Sequence, residues 1–250
     1  MPRHPRLSTR AAYTTLASVH AAVLGLPLAH AVWGLAHHGP RAVVLTPHAQ
    51  PSLLVPEWAL YVVPLAVAAL CVWSVCRMRL HLGLGQVFAP ESELGQDAEQ
   101  DRSAQRWRSF ILATAASVLS AAVVVLLGAR APGPVIADAL GPGSVEVLTG
   151  VLLAGLAHGA TALIAGVVGL ALVVLALSAA RREPWEIYVI AVVAQILAHP
   201  FGGIAALGLA PAAGLSVWLY RRTGRLWPLI AAHGTASLAL ALLVSSTAPL

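Results

Sequence analysis

Charged residues are scarce in this chain: they make up 10% of its 250 residues, against roughly 25% in an ordinary soluble domain. So few charged side chains cannot cover the water-facing surface of a 25.8 kDa particle, which excludes a soluble globular enzyme. Lysine is absent, so all 15 basic residues are arginines. What remains is apolar, with 58% hydrophobic residues and a mean hydropathy of +0.80. The composition therefore predicts a protein embedded in lipid.

The two cysteines and the placement of the arginines limit which cross-links, metal sites and binding partners the chain can have. Cys71 and Cys76 lie within one apolar run at a spacing that directs them to different helix faces, which excludes a disulfide framework or a metal clip. The pI is near 10.0, but the arginines form short clusters between apolar runs rather than a basic stripe interleaved with aromatic residues. This pattern predicts contact with anionic membrane lipid and no nucleic-acid partner.

Apolar runs and their flanks predict an all-α membrane bundle of about seven to eight transmembrane helices, with seven the preferred count. The predicted crossings are residues 11–36, 58–75, 110–127, 145–180, 185–199, 204–220 and 226–246. The only long polar segment, 77–108, has mixed charge and predicts an extramembrane loop with a short helix. The first run contains Ala29-His30-Ala31, which resembles a signal cleavage site. Because the apolar run continues beyond it, we interpret the run as a retained crossing.

The run 145–180 decides the predicted topology, because it is too long for one crossing of about 30 Å and too short for two. If it crosses once, Arg41 and Arg130 are the only arginines outside, and the other thirteen lie inside. If it crosses twice, the split is eight against seven. The positive-inside rule favours one long, tilted or glycine-interrupted helix. We therefore expect an integral protein of a bacterial inner membrane with a cytoplasmic amino terminus.

Ionisable side chains inside apolar runs are costly, so each is a candidate for a functional site. Three histidines of the carboxyl-terminal half qualify, His158, His199 and His233. A lone histidine in such a run is equally explained by helix packing through a hydrogen bond to a neighbouring backbone or hydroxyl group. Glu183 and Glu186 are interpreted as interfacial anchors beside the arginines that precede them.

Two of these histidines lie in a recognisable context. The run from Tyr220 to His233 reads Tyr-Arg-Arg-Thr-Gly-Arg-Leu-Trp and then Pro-Leu-Ile-Ala-Ala-His. It resembles the carboxyl-terminal signature of the CPBP membrane family, in which a Tyr-x-x-Thr-Gly-x-Leu-Trp turn precedes a helix with His-x-x-x-Asn. Upstream, Ile196-Leu197-Ala198-His199-Pro200 resembles the family's second motif, Phe-x-x-x-His. The likeness covers residues 183–243, about a quarter of the chain. The family comprises type II CAAX prenyl proteases and bacteriocin-processing enzymes.

The resemblance implies a membrane metalloprotease that hydrolyses peptide bonds of membrane-associated, prenylated or bacteriocin-type substrates, with zinc as its cofactor. In the family a glutamate of a Glu-Glu-x-x-x-Arg motif activates water, and histidines with an Asn or Asp bind metal or polarise the scissile carbonyl. For this chain the resemblance implies that His199, His233 and Ser237 are catalytic residues and that His199 and His233 are also metal ligands. The implied partner, besides lipid, is a peptide or membrane-protein substrate.

The chain departs from the family pattern in three places. Gln195 stands where the family has Phe, with no expected consequence for the chemistry, and Ser237 replaces an amide donor by a hydroxyl. No Glu-Glu pair occurs in the chain, and the helix that should carry it offers His158. His158 could complete a three-histidine zinc site with an open fourth position. Counted from the turn near Glu183, however, it lies roughly 12 Å from the level of His199.

Two interpretations of the function therefore stay open. One is a metallopeptidase with a degenerate site, and the other is a non-catalytic member that binds a peptide or a membrane protein. A third interpretation, solute transport, has one indication in the sequence: Pro-Phe-Gly-Gly at 200–203, which is typical of a broken helix.

We expect an amino-terminal membrane hairpin with a charged cytoplasmic loop over 1–109 and a CPBP-like membrane core over 110–250.

Overall fold

The computed structural model describes residues 7–38, 59–80, 87, 97–126, 158–199 and 206–246. These residues form a bundle of seven helices and contain no strand, which confirms the all-α prediction and the count of seven. The helices are α1 (Thr9–His38), α2 (Ala59–Val75, continued by π-helical turns over Cys76–Leu80), α3 (Asp97–Leu126), α4 (His158–Ala179), α5 (Pro184–Leu197), α6 (Ala210–Thr223) and α7 (Trp227–Ser246).

Three stretches of the described helices are long and apolar enough to cross a membrane: Thr9–Ala29, Val62–Leu80 and His158–Ala179. Two shorter stretches, Trp107–Val123 and Pro184–Leu197, are also apolar. Large apolar side chains on the outside of these helices are more than half exposed, as is expected where lipid replaces water. They include Leu70, Trp73, Ile111, Val118, Leu119 and Val189.

Helix α3 differs from the sequence-based prediction because it begins inside the charged segment, at Asp97, well before the predicted crossing at 110–127. Hydropathy marks the part of a helix that lies in lipid, whereas backbone hydrogen bonding continues into water. The helix is therefore longer than the crossing. It also runs through the boundary between 109 and 110, so the division into two parts stays a prediction.

The segment 145–180 is described only from His158 onward, and residues 145–157 lie outside the described residues. From His158 to Ala179 the chain is one helix of 22 residues, about 33 Å and enough for one crossing. Its middle, Ala165–Leu172, has π-helical turns and contains Gly166 and Gly169. The described part therefore agrees with a glycine-interrupted helix.

Helix α4 is the central helix, because its glycines let two other helices approach closely. A Cβ atom at Gly169 would lie 3.2 Å from the backbone nitrogen of Gln195 in α5. At Gly166 it would lie 2.5 Å from Cγ1 of Ile230 in α7, and Gly234 of α7 faces Ala162 in the same way at 3.6 Å. Side chains at Gly166 and Gly169 would force their neighbours to move, whereas the 3.6 Å distance at Gly234 is ordinary van der Waals contact; the two glycines of α4 therefore set its spacing from α5 and α7.

Polar contacts place three helix ends in one layer of the bundle. The Tyr13 hydroxyl at the start of α1 donates a hydrogen bond to Glu186 at 2.8 Å, and Arg182 donates two to the same carboxylate at 2.7 and 2.6 Å. The bond to Glu186 raises the pKa of the Arg182 guanidinium. Arg221, at the end of α6, lies over the Tyr188 ring of α5 at 5.6 Å. Glu186 is thus an anchor for a neighbouring arginine, as predicted.

Helix α3 supplies a cap to α6. The buried Ser120 hydroxyl accepts a hydrogen bond from the backbone nitrogen of Ala212 at 3.1 Å. The N–H groups of the first turn of a helix have no partner within the helix. Ser120 therefore satisfies one of them from another element. It also places the carboxyl-terminal part of α3 beside the start of α6, so the two helices run in opposite directions.

Candidate active site

The two signature histidines meet between α5 and α7. Nε2 of His199 and Nε2 of His233 lie 3.0 Å apart, within hydrogen-bonding distance. The ring centroids are 5.0 Å apart and the ring planes are inclined by 70°. Both side chains are half-buried. The structure therefore brings together two residues that are 34 positions apart in the sequence.

The carboxyl-terminal end of α5 fixes the position of His199. The helix ends at Leu197, and the backbone nitrogen of His199 bonds to the carbonyl oxygen of Ile196 at 2.9 Å. Pro200 follows in the sequence and cannot continue a helix. Nδ1 of His199 lies 2.8 Å from the carbonyl oxygen of Gln195, and this bond holds the ring with Nε2 toward α7.

The turn between α6 and α7 explains the Thr-Gly-x-Leu part of the signature. Gly224 has a φ of 66°, a left-handed conformation that glycine adopts at little cost. The Thr223 hydroxyl donates to the carbonyl of Leu219 at 2.8 Å and accepts from the nitrogen of Arg225 at 3.2 Å. Leu226 is fully buried. The turn therefore starts α7 with a fixed core residue, seven positions before His233.

Tyr220, the first residue of that signature, connects α6 to the charged loop. Its hydroxyl donates a hydrogen bond to the carbonyl oxygen of Val87 at 3.1 Å, and both residues are buried. This role of Tyr220 was not predicted from the sequence. Nothing in the local sequence marks a contact that spans 133 positions.

Gln195 has a larger role than its sequence suggested. Its side-chain nitrogen donates to the carbonyl oxygens of Ala191 and Ala213 at 3.3 and 3.5 Å, which links α5 to α6. Its Cγ atom faces Gly169 of α4. One residue thus contacts the two helices on either side of α5, and its carbonyl holds His199.

His158 and Ser237 complete the set of predicted site residues. His158 is half-buried at the start of the described part of α4. Ser237 is half-buried and lies one turn after His233 on the same face of α7. Neither residue has a direct contact with the pair among the hydrogen bonds of the described residues.

The two histidines supply fewer donors than a catalytic zinc requires. Two nitrogens on one tetrahedral zinc, each at about 2.0–2.1 Å, lie about 3.3 Å apart, close to the 3.0 Å between the two Nε2 atoms. A catalytic zinc usually has three protein ligands. Among the described residues no three His, Cys, Asp or Glu side chains form a group that could hold a metal. The described residues therefore supply two donors, one short of a catalytic zinc site.

The part of α4 near the pair has no carboxylate. Gly169 of α4 faces Gln195 of α5, so the residues nearest the level of His199 lie about one turn earlier on α4, at Ala165 to Val168. Gly166 is covered by Ile230, so a longer side chain there would have to displace it. The general base that the family presents from an earlier helix has no counterpart in this region.

Comparison with known proteins agrees with this arrangement. Residues 171–239 match the family described as type II CAAX prenyl endopeptidase Rce1-like, a little over a quarter of the chain. No curated protein and no solved structure matches the chain. The matched segment includes Gln195, His199, His233 and Ser237, and it begins after His158. Over residues 171–239 this membrane protein is therefore similar to the Rce1-like family of type II CAAX prenyl endopeptidases, which belongs to the CPBP type.

Proposed function

We propose that the chain is a CPBP-type membrane peptidase of low activity, which hydrolyses peptide bonds of membrane-associated substrates at the His199–His233 pair. The observation that carries the proposal is the 3.0 Å contact between the two Nε2 atoms. It joins the two family motifs that this chain retains, within a segment that matches the family. Prenylated or bacteriocin-type peptides are the substrate class that the family supplies.

The low activity follows from the missing carboxylate. Peptide hydrolysis needs a base that activates water and a donor that stabilises the developing oxyanion. Ser237 offers a hydroxyl donor on the face of α7 that carries His233. A general base typically contributes about 10² to 10⁴ in rate, so we expect turnover to be lower than in a family member with the glutamate by a factor of that order.

A second candidate function is peptide binding without hydrolysis. The observation that favours it is the close packing of α4 at Gly166 and Gly169, where neither position has space for a carboxylate side chain. In this case the pair recognises a peptide or another membrane protein and no bond is broken. Where the ligand is a peptide, the two candidates differ in turnover.

A comparison of histidine variants tests the proposal. The full chain in nanodiscs is incubated with a pool of hydrophobic peptides, and new amino termini are counted by mass spectrometry. We expect His199→Ala and His233→Ala to abolish cleavage, while His158→Ala retains most of it. His20→Ala is the matched control, because it removes a membrane histidine that bonds to the carbonyl of Leu16. Cleavage that survives both pair variants would contradict the proposal, and no cleavage by the wild type would favour the binding function.

The zinc site keeps a test of its own. Its predicted ligands are His199, His233 and His158, and zinc per chain is measured by mass spectrometry on the same variants. A three-histidine site predicts that each of the three substitutions removes the metal and that His20→Ala does not. Zinc that persists in His158→Ala would contradict His158 as a ligand.

A further inference from the structure

Arginines are concentrated in the layer of helix ends that contains Glu186. This layer is formed by the start of α1, the turn between α4 and α5 and the end of α6. Its described residues include two glutamates, Glu183 and Glu186, and six arginines: Arg10, Arg181, Arg182, Arg221, Arg222 and Arg225. Glu186 already accepts hydrogen bonds from Arg182. The layer therefore has an excess of positive charge that its own carboxylates do not neutralise.

Two of these arginines lie on aromatic rings. The guanidinium carbon of Arg221 is 5.6 Å from the centroid of the Tyr188 ring in α5, and that of Arg222 is 5.2 Å from the centroid of Trp218, one turn earlier in α6. Both distances are within the range of a cation–π contact. Such a contact holds the side chain in place without using its N–H donors. Among the described residues neither guanidinium has a hydrogen bond or an ion pair.

Arg181 has a backbone conformation that normally selects glycine. Its φ is 53°, and among the described residues it is the one non-glycine residue with a positive φ. The N–H groups of Arg181 and Arg182 bond to the carbonyl oxygens of Ser178 and Leu177 at 3.0 and 2.9 Å, which is the Schellman motif that glycine usually ends. An arginine here costs stability that a glycine would not. Its side chain is exposed and, within the described part of the chain, has no hydrogen bond or ion pair.

Exposed tryptophans indicate the depth of this layer in the membrane. Trp185, the second residue of α5, is 64% exposed, and Trp218 is 40% exposed. Tryptophan is enriched at the level of the lipid headgroups. The unused guanidinium donors therefore lie at the depth of the lipid phosphates, which an arginine can bind through two parallel N–H groups.

We propose that Arg181, Arg221 and Arg222 form a binding site for the headgroup of one anionic phospholipid at the ends of α4 and α6. Tyr188 is in the second turn of α5, about 6 Å from the start of that helix, so Arg221 on its ring lies within reach of the turn that carries Arg181. The site differs from a general attraction of arginines to an anionic membrane, because it needs guanidinium groups at fixed positions. It is independent of the proposed function, since it uses neither His199 nor His233.

Lipid binding is measured first, on the full wild-type chain by native mass spectrometry from micelles. Phosphatidylglycerol and phosphatidylcholine share a phosphate, but choline adds a positive charge that balances it. We expect one phosphatidylglycerol per chain to bind more tightly than phosphatidylcholine, and glycerophosphoglycerol, the headgroup without acyl chains, not to compete at the same concentration. Equal binding of the two lipids would overturn the proposal. Competition by the soluble headgroup would overturn the lipid as ligand in favour of a free phosphate ester.

Lysine variants then separate a site of fixed geometry from attraction to a charged surface. Arg221→Lys and Arg222→Lys keep the charge but lose the planar set of donors. We expect each to weaken phosphatidylglycerol binding by about two- to tenfold, the effect of one hydrogen bond. Arg79→Lys is the matched control, because Arg79 is exposed at the end of α2 and contacts no aromatic ring of the described residues. If all three variants bind the lipid as the wild type does, the proposal is wrong.

Arg181→Gly should change stability and lipid affinity in opposite directions. We expect a higher unfolding midpoint in lipid-free micelles, because glycine suits the left-handed position, and about fivefold weaker phosphatidylglycerol binding, the usual effect of one basic residue at a membrane surface. Arg181→Ala should lose the same affinity without the gain in stability. Wild-type affinity of Arg181→Gly would overturn the role of Arg181. None of these measurements depends on cleavage, so a chain that binds the lipid but never hydrolyses a peptide would contradict the proposed peptidase alone.

Discussion

At the scale of single residues, the contact between His199 and His233 allows a direct test of proximity. Cysteines at both positions should be joined by a short bifunctional reagent in native membranes, because the two rings are 5.0 Å apart between centroids. Mass spectrometry of the digested chain measures the cross-link. Ala162→Cys with Gly234→Cys is the positive control, since their Cβ atoms would lie 3.6 Å apart, within the range of a disulfide. If the control pair is cross-linked and the cysteines at positions 199 and 233 are not, the paired site is contradicted.

The cap that Ser120 provides predicts a second effect at this scale. Ser120→Ala leaves the backbone nitrogen of Ala212 without its buried partner, which costs about 1–3 kcal/mol. The loss is measured by unfolding in mixed micelles. Ser117→Ala is the control, because this buried serine lies on the same helix and makes no described contact with α6. Equal stability of the two variants would show that the cap is not needed.

Sequence reasoning found the two histidines but not the residues that hold them. The family resemblance implied that His199 and His233 share one site, because each lies in a motif that resembles one of the family's. Gln195 was expected to have no consequence for the chemistry, and its structural role was not predicted, because a motif shows the type of residue and not its hydrogen bonds. Its contacts with Ala213 and Gly169 depend on which helices lie beside α5, and one sequence does not give that.

At the scale of helices, the contact between α4 and α5 depends on the absence of a side chain at Gly169. Gly169→Ala would place Cβ 3.2 Å from the backbone of Gln195, so the helices must separate. We expect a loss of about 1–3 kcal/mol of stability and a weaker His199–His233 bond. Gly214→Ala is the control, because that position has open space and alanine is favoured in a helix by about 0.5–1 kcal/mol.

Unfolding in micelles and the ¹⁵N signals of the pair measure the two effects. A Gly169→Ala variant as stable as Gly214→Ala would contradict close packing at this position. If Gly169→Ala is destabilised but the ¹⁵N signals of His199 and His233 are unchanged, α4 supports the fold and does not support the pair.

The helices themselves were predictable where lipid contact and helix length coincide. Helices α2, α5 and α7 begin within about two residues of their predicted crossings. Helix α3 does not, because its first residues are charged and their helical state does not depend on lipid. The π-helical turns of α4 also could not be predicted, since glycine in an apolar run is compatible with a straight helix as well.

At the scale of the whole molecule, the arginine distribution predicts the topology. We propose that the amino terminus and the loop 77–108 are cytoplasmic. Cysteine accessibility in intact cells should then place Ser92→Cys and Arg182→Cys on the cytoplasmic side and Gly141→Cys on the other. Labelling that places Ser92 and Arg182 on opposite sides would contradict a single crossing by residues 145–180.

The structure supports one part of this topology independently of the arginine count. The start of α1, the turn between α4 and α5 and the end of α6 share contacts through Glu186 and Tyr188. Thus Arg10, Arg182 and Arg221 belong to one end of the bundle, as the sequence predicted. Which end faces the cytoplasm is a property of the membrane, and the labelling experiment measures it.

The hydrogen bond between Tyr13 and Glu186 also has a consequence for the order in which the bundle is assembled. Its two residues are 173 positions apart, so the ribosome makes α1 long before α5 exists. Until then α1 packs against α2 and α4 without α5, and its tyrosine hydroxyl is satisfied by water or lipid. Helix α1 therefore gains this partner only after α5 has been inserted, and premature release of the growing chain would leave that end of α1 more exposed to membrane quality-control proteases.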